Sequence, residues 1–453
     1  MKLDKAFFKK ITATVLIAFV AVDVFGVDFK VPAPAVGGIY IEDIVSGEVL
    51  VDINGEREMI PASITKALTA ASVLAEHKPE FRYATEVYFT GPVKDGVAEG
   101  NLVVKVCGDP TIESSYFPEN KGFADSISCA LNRMGVTEIT GKILIEKGGF
   151  HDQAVPGGWV EEDLAFPYGA GHYATNYKDN KFTLAFPGKT STPVVPALKV
   201  KYSPMKGALK VDRKRGSDVF LTRGTVRRKG QEVALANPSP DATMLYEIGE
   251  TLERDGIVIK GDDLGGRSNS VFPIYTHYSP ELRDLLRSLM FRSDNMMAEG
   301  ALRLLAPGEP RENAVEREMR IWELRGIDTE FVNLEDGSGL SRRDRMTPYF
   351  MGDMLGWMAL HHNATDYVNL FPKAGREGTL KSLLVDTSLE GKLALKSGSM
   401  KGVHCYAGYK VDEEGLPTHV VVIMVNDFRC GRAVVKKEIE NLLLSVFAPE
   451  ELQ

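Results

Sequence analysis

Ser63-Ile64-Thr65-Lys66 sets a hydroxyl and a primary amine three residues apart. On a helix, positions i and i+3 share a face, so the Lys66 amine can reach the Ser63 hydroxyl. An unaided serine is a weak nucleophile and needs an adjacent base. A lysine serves as that base when burial or nearby positive charge lowers its pKa toward neutrality. A Ser-x-x-Lys sequence recurs about twice by chance in a chain this long, so it gains meaning only in company. Two companions follow. Ser293-Asp294-Asn295 lies 230 residues beyond Ser63. It offers a second hydroxyl, Ser293, to relay protons, and an amide, Asn295, to bind substrate and orient Lys66. Lys396-Ser397-Gly398 lies 103 residues beyond Ser293. Lys396 brings positive charge and Ser397 a hydroxyl, both suited to a carboxylate, and Gly398 lets an acyl group approach the backbone. The N–H groups of Ser63 and Ser399 could form an oxyanion hole. Taken singly, the motifs describe a capped helix, two polar residues on a helix surface and a strand ending in a turn. Taken together they predict a serine acyl-transfer site.

The elements around these residues suit that task. Residues 37–52 read as a hairpin about Ser46-Gly47. Pro61 suits the first turn of a helix running from Ser63 to about His77, where a missing N–H costs nothing. Ile64, Ala67, Leu68, Ala71 and Leu74 recur at helical spacing and predict a core-facing stripe. Pro280 to Leu305 reads as helix with Ser293 inside it, and 315–324 and 349–360 as further helices. Leu393–Leu395, Tyr406–Val411 and His419–Val425 read as strands, the last two joined by a turn at Asp412-Glu413-Glu414-Gly415, with a closing helix over 433–447. A strand at Lys396 could accept an extended peptide along its edge. Between about 85 and 265 the texture changes. Short β-rich runs alternate with turns and one helix, near 123–134, interrupts them. This predicts a mainly β insertion with room for two subdomains.

Length and charge bound the rest. At 453 residues the chain exceeds one compact core. Its 44% hydrophobic and 26% charged residues are ordinary for folded protein. Lys2, Lys5, Lys9 and Lys10 precede a 12-residue, largely apolar run, Ile11 to Val22, with a plausible cleavage region near Gly26. That layout predicts a signal peptide over 1–26, since the run is short for a membrane span. An uncleaved anchor would export the chain equally. No stable span is expected after cleavage. The net charge is −8, and −10 without residues 1–26, which argues against nucleic acid or anionic lipid as main partner. Cys107, Cys129, Cys405 and Cys430 show no metal spacing, and the eight histidines form no ligand motif, so no metal or other cofactor is expected. A Cys405–Cys430 disulfide and four buried thiols both remain open at this level, as does oligomeric state.

The three motifs, in this order, are a signature of penicillin-binding proteins and related β-lactamases. The sequence resembles the D-alanyl-D-alanine carboxypeptidase/endopeptidase family of low-molecular-weight class C penicillin-binding proteins. Further segments carry the likeness: Gly108-Asp109-Pro110-Thr111, Asp336-Gly337-Ser338-Gly339-Leu340-Ser341 with Thr347-Pro348, Ala374-Gly375 with Gly378-Thr379-Leu380, Lys401-Gly402 and Ala407-Gly408-Tyr409. The resemblance covers about residues 37 to 430, and the long gap between the first two motifs fits it. It implies an α+β fold: an antiparallel sheet flanked by helices, as in penicillin-binding and β-lactamase-like serine transpeptidases, with a mainly β inserted region. The catalytic domain would comprise 27–84 and 266–453, and 85–265 the insertion. It implies a periplasmic D-Ala-D-Ala carboxypeptidase or D,D-endopeptidase acting on peptidoglycan stem peptides and acylated by β-lactams. Ser63 would be the nucleophile, Lys66 its base and Ser293 a proton relay. Asn295, Lys396, Ser397, Gly398 and Ser399 would bind substrate. Trp159 and Asp163 resemble a Trp-x-x-x-Asp element whose acid is thought to meet a diaminopimelate side chain. Ser397 departs from the family's usual Thr but keeps the hydroxyl. A serine β-lactamase or esterase using the same residues, and a weakly active peptidoglycan-binding scaffold, are the competing readings.

Overall fold

Both ends of the chain meet in one sheet. The computed structural model describes residues 29–452 apart from 151–152, 187–189, 197, 229 and 263–270, so the predicted export segment lies outside the described residues. The five strands are antiparallel and run, in spatial order, Leu393–Met400, Val403–Val411, Pro417–Asn426, Val36–Asp43 and Val49–Ile53. The predicted hairpins and closing helix are all present, the helix at Arg432–Phe447.

Pro417–Asn426 shows why the middle strand reads as an unbroken apolar run. Val421, Ile423 and Val425 join the core beneath the closing helix. Val420, Val422 and Met424 join the larger helical core on the other face. A strand covered on both sides needs no polar alternation, and each such side chain withdrawn from water is worth about 1.5–3 kcal/mol.

The helix Thr65–Glu76 is buried more completely than its sequence stripe suggests. Every residue from Thr65 to Leu74 is buried, so it is a central helix wrapped by others. Lys66 is caught inside that wrapping.

The predicted single helix over 280–305 is instead two, Leu282–Arg292 and Asn295–Arg303. Ser293 sits between them with φ +58°, in the left-handed region that ends helices. Asp294 caps the second helix, its carboxylate accepting from Met297 N–H at 3.0 Å. Tertiary placement, not propensity, breaks the pattern here.

Among the described residues, the inserted region holds four small sheets. One runs Phe272–Tyr278, Ala84–Phe89, Leu102–Lys105, Ile143–Glu146 and so ties the start of the region to its return. A second helix, Pro240–Arg254, joins the expected one at Phe123–Arg133. It opens on a proline and buries Met244, Ile248 and Leu252 at four-residue spacing, a legible helical stripe that the strand-like texture around it obscures.

All four cysteines are free thiols, so the Cys405–Cys430 pairing does not form. Among the described residues there is no cluster suited to a metal ion, and no helix long and apolar enough to cross a membrane.

Candidate active site

The nucleophile candidate is fixed by a short, strained approach. Asn426, at the end of a central strand, accepts from Ile60 N–H at 2.7 Å and donates to Ile60 O at 3.1 Å, clamping the chain just before Pro61. Ala62 then takes φ +48°. For an alanine this left-handed backbone costs roughly 1–2 kcal/mol, and packing holds it there: Gly339 lies so close that a Cβ on it would fall 1.9 Å from Ala62 O. Ser63 follows in a single 3-10 turn and Lys66 in the first turn of the central helix.

Lys66 Nζ lies 3.0 Å from Ser63 Oγ, 2.6 Å from Asn295 Oδ1 and 2.5 Å from the Ser338 carbonyl. The amine is fully buried. Burial pulls its pKa down from 10.5 to about 8, against the opposing charges of Asp336, Asp294, Glu299 and Asp344. The Ser338 carbonyl is itself aimed by buried carboxylates. Asp336 accepts the N–H groups of Ser338, Gly339 and Ser341, and Glu299 accepts that of Gly337 at 3.0 Å while pairing with Arg311 at 3.0 Å. Burial, aided by the Asp336 charge, raises Glu299 to about 7.

The second and third motifs meet across the cleft. Lys396 Nζ donates to Ser293 Oγ at 3.0 Å and to the Ser397 carbonyl at 2.6 Å. It is fully buried, and desolvation followed by repulsion from Lys66 holds its pKa well below the usual lysine value. Ser397 Oγ sits 2.6 Å from Thr379 Oγ1, so two hydroxyls share one exposed edge. Gly398 turns its bare Cα toward the nucleophile's turn. A Cβ there would lie 2.9 Å from both Ser63 N and Ile64 N. The glycine therefore lets strand and helix touch, a closer reason than room for an acyl group. Ser399 follows at the strand's exposed end. Ser63, Lys66, Ser293, Asn295, Lys396 and Ser397 thus share one site.

The inserted region supplies one wall. Asn295 Nδ2 donates to the Tyr168 carbonyl at 2.7 Å, and Tyr168 Oη donates to Asp163 at 3.1 Å. Asp163 is half-buried at the cleft's rim, one residue removed from Asn295, and burial raises its pKa. Trp159 is buried and donates to Asp336 at 2.7 Å. Lys181 hydrogen-bonds Tyr116 and stands 3.9 Å from Asp294. Sequence reasoning about side-chain chemistry missed the Ser338 and Tyr168 carbonyls, Glu299, Thr379 and Lys181. Backbone acceptors leave no residue-type signal, and Thr379 and Ser338 stood only within longer matching segments. His404, opposite Ser399 on the neighbouring strand, is buried against Tyr406, with its pKa lowered to about 4 by burial.

The family described as D-Ala-D-Ala carboxypeptidase 3 (S13) matches residues 28–444. The D-alanyl-D-alanine carboxypeptidase DacB of Haemophilus influenzae is 26% identical over 424 residues, covering 88% of this chain and 87% of its own. The D-alanyl-D-alanine carboxypeptidase of Actinomadura sp. strain R39 is 27% identical over 441 residues, covering 88% and 79%. In three dimensions the chain matches the crystal structure of penicillin binding protein 4 (dacB) from Haemophilus influenzae with a TM-score of 0.79, 24% identity, and coverage of 94% and 99%.

Proposed function

We propose, from the premise that this chain belongs to the D-Ala-D-Ala carboxypeptidase 3 (S13) family, that Ser63 is its acylated nucleophile and Lys66 the base that activates it. The chain is a serine peptidase of that family. The observation that carries the residue assignment is the buried Lys66 amine, 3.0 Å from Ser63 Oγ, with its pKa lowered to about 8. Near neutral pH a useful fraction of such an amine is unprotonated and can take the serine proton. The hydroxyl then attacks the penultimate D-Ala carbonyl. The Ser63 and Ser399 N–H groups receive the developing oxyanion. Lys66 returns the proton toward the leaving amine, with Ser293 as relay. Lys396, Ser397 and Thr379 hold the terminal carboxylate. Water enters by the reverse path and frees the acyl group.

The substrate in this reading is a peptidoglycan stem peptide, met by an exported, periplasmic enzyme, and β-lactams acylate Ser63 in its place. Asp163 lies on the acyl side with Tyr168, where it can receive the amine of the third stem residue. The five-stranded sheet with its helices (27–84 and 266–453, apart from the strand Phe272–Tyr278 that closes the inserted region's sheet) is the catalytic unit, and 85–265 makes up the bulk of the inserted region that completes its wall.

The decisive experiment is the intact mass of the protein after benzylpenicillin, with Ser63→Ala beside it. A stable penicilloyl adduct on the wild type alone is expected. Rapid drug hydrolysis without an adduct would make it a β-lactamase, and intact drug with folded, unlabelled protein would remove Ser63 from catalysis.

A further inference from the structure

The net charge of −8 conceals one strongly basic stretch. Residues 199–228 carry ten Lys or Arg against Asp212 and Asp218, a formal +8. They form a three-stranded sheet in the inserted region, Lys199–Pro204, Val219–Gly224 and Lys210–Arg213 in spatial order. One face is apolar, with Phe220 and Val211 buried in a core shared with Phe182, Leu184 and Leu235. Strand alternation turns Lys199, Lys201, Arg223 and Lys210 to the other face, around the exposed Leu221.

This face is not arranged for sheet stability. Lys210 stands directly opposite Arg223, and like charges in that position weaken a sheet. Lys199 has Asp218 at 2.8 Å and Arg223 has Asp212 at 3.1 Å. Lys201 and Lys210 form no ion pair among the described residues. Lys206, Arg227 and Arg228 extend the exposed positive charge along the bordering loops.

The same module grips the active-site wall. Arg213 donates twice to the Leu164 carbonyl, at 3.0 and 2.6 Å. Arg215 donates to the carbonyls of Val155, Pro156, Gly157 and Trp159 at 2.7–3.4 Å. That segment carries Trp159 and Asp163 and leads to Tyr168, which receives Asn295. The cationic face is therefore joined through a short stretch of chain to the cleft.

We propose that this face binds the anionic peptidoglycan polymer, gripping the carboxylates of stem peptides near the one in the cleft. The inference rests on the functional reading above. Lys199 and Lys201, two residues apart on one strand, lie about 7 Å from each other, a row suited to a chain of carboxylates. A membrane surface fits less well, because the face presents the exposed Leu221 and the partly buried Val219 amid four cations, where an interfacial element would show a broad apolar side.

The test is Lys201→Glu/Lys210→Glu in the full chain. Neither lysine gives up an ion pair, and the new carboxylate at position 210 would face Arg223, so folding is protected. In a Ser63→Ala background, co-sedimentation with purified sacculi at low salt should fall about tenfold. Wild-type-face binding should weaken as salt rises from roughly 50 to 200 mM. Lys201→Gln/Lys210→Gln should lie between. With Ser63 restored, penicillin acylation and hydrolysis of a soluble pentapeptide should change less than about twofold. Unchanged sedimentation of the Glu variant would overturn the proposal. So would binding to phosphatidylglycerol vesicles but not to sacculi. Failure of the functional reading looks different: no penicilloyl adduct, with sacculus binding and its charge dependence intact.

Discussion

Two buried lysines face each other across the cleft, and their surroundings differ. Lys66 lies near Asp336, Asp294, Glu299 and Asp344, whose charges offset part of its desolvation and leave it at about 8. Lys396 is equally buried, but the charge that bears on it is Lys66 itself, and its pKa is held well below the usual lysine value. One amine has its counter-charge built into the protein. The other gains one when a carboxylate-bearing ligand arrives. The difference teaches that residue type alone does not set a lysine's task. In the proposed mechanism the first environment suits a base that titrates with the site empty, and the second a carboxylate receptor whose charge is completed by its ligand.

The largest expected effect breaks the Lys66 side. Lys66→Met should slow penicillin acylation by at least about a thousandfold in stopped-flow measurement. Lys66→Arg should fare no better, because a guanidinium does not deprotonate. An active Arg variant would dissolve the distinction between the two lysines. Next, Lys396→Met should raise KM about a hundredfold for a substrate ending in a free carboxylate, and far less for its C-terminal amide. Equal losses on both would show that Lys396 does not read the carboxylate. A third outcome concerns pH. The reactive form of Lys66 is the neutral one, so acylation should rise with pH through about 8. Glu299→Gln removes a negative neighbour and should move that limb downward by less than about one unit. It should also lower Tm by several degrees, since it removes the buried ion pair with Arg311. The smallest change is at the exposed hydroxyl pair: Ser397→Ala should cost roughly tenfold in kcat/KM and Ser397→Thr less than about threefold.

Much of this comparison was legible in the sequence. The hairpins at both chain ends and the turn at Asp412–Gly415 follow from alternation and turn chemistry. The three motifs also converge as a serine-lysine site requires. The helix break at Ser293 was not legible, because Leu282 to Arg303 carries one continuous helical pattern, and the contacts at the break, Ser293 with Lys396 and Asn295 with Lys66, come from distant parts of the chain. Pro240–Arg254 could have been found from its proline and its Met244-Ile248-Leu252 spacing. The part that carboxylates play in tuning Lys66 was hidden for a different reason. Glu299, Asp336 and Asp344 look like surface acids in a linear reading, and only the packing reveals that all are buried.

The bond from Trp159 to Asp336 reaches across a boundary that topology would otherwise make easy to cut. An engineer seeking a minimal enzyme would be tempted to splice Phe89 to Phe272 and discard what lies between. The shortened protein would keep all three motifs. It would lose the indole that donates to Asp336, the carbonyl that accepts from Asn295 and the ammonium that stands beside Asp294. Part of the catalytic half's polar scaffold is supplied from the insert, so trimming it should yield a chain that contains every motif and holds them less firmly in place.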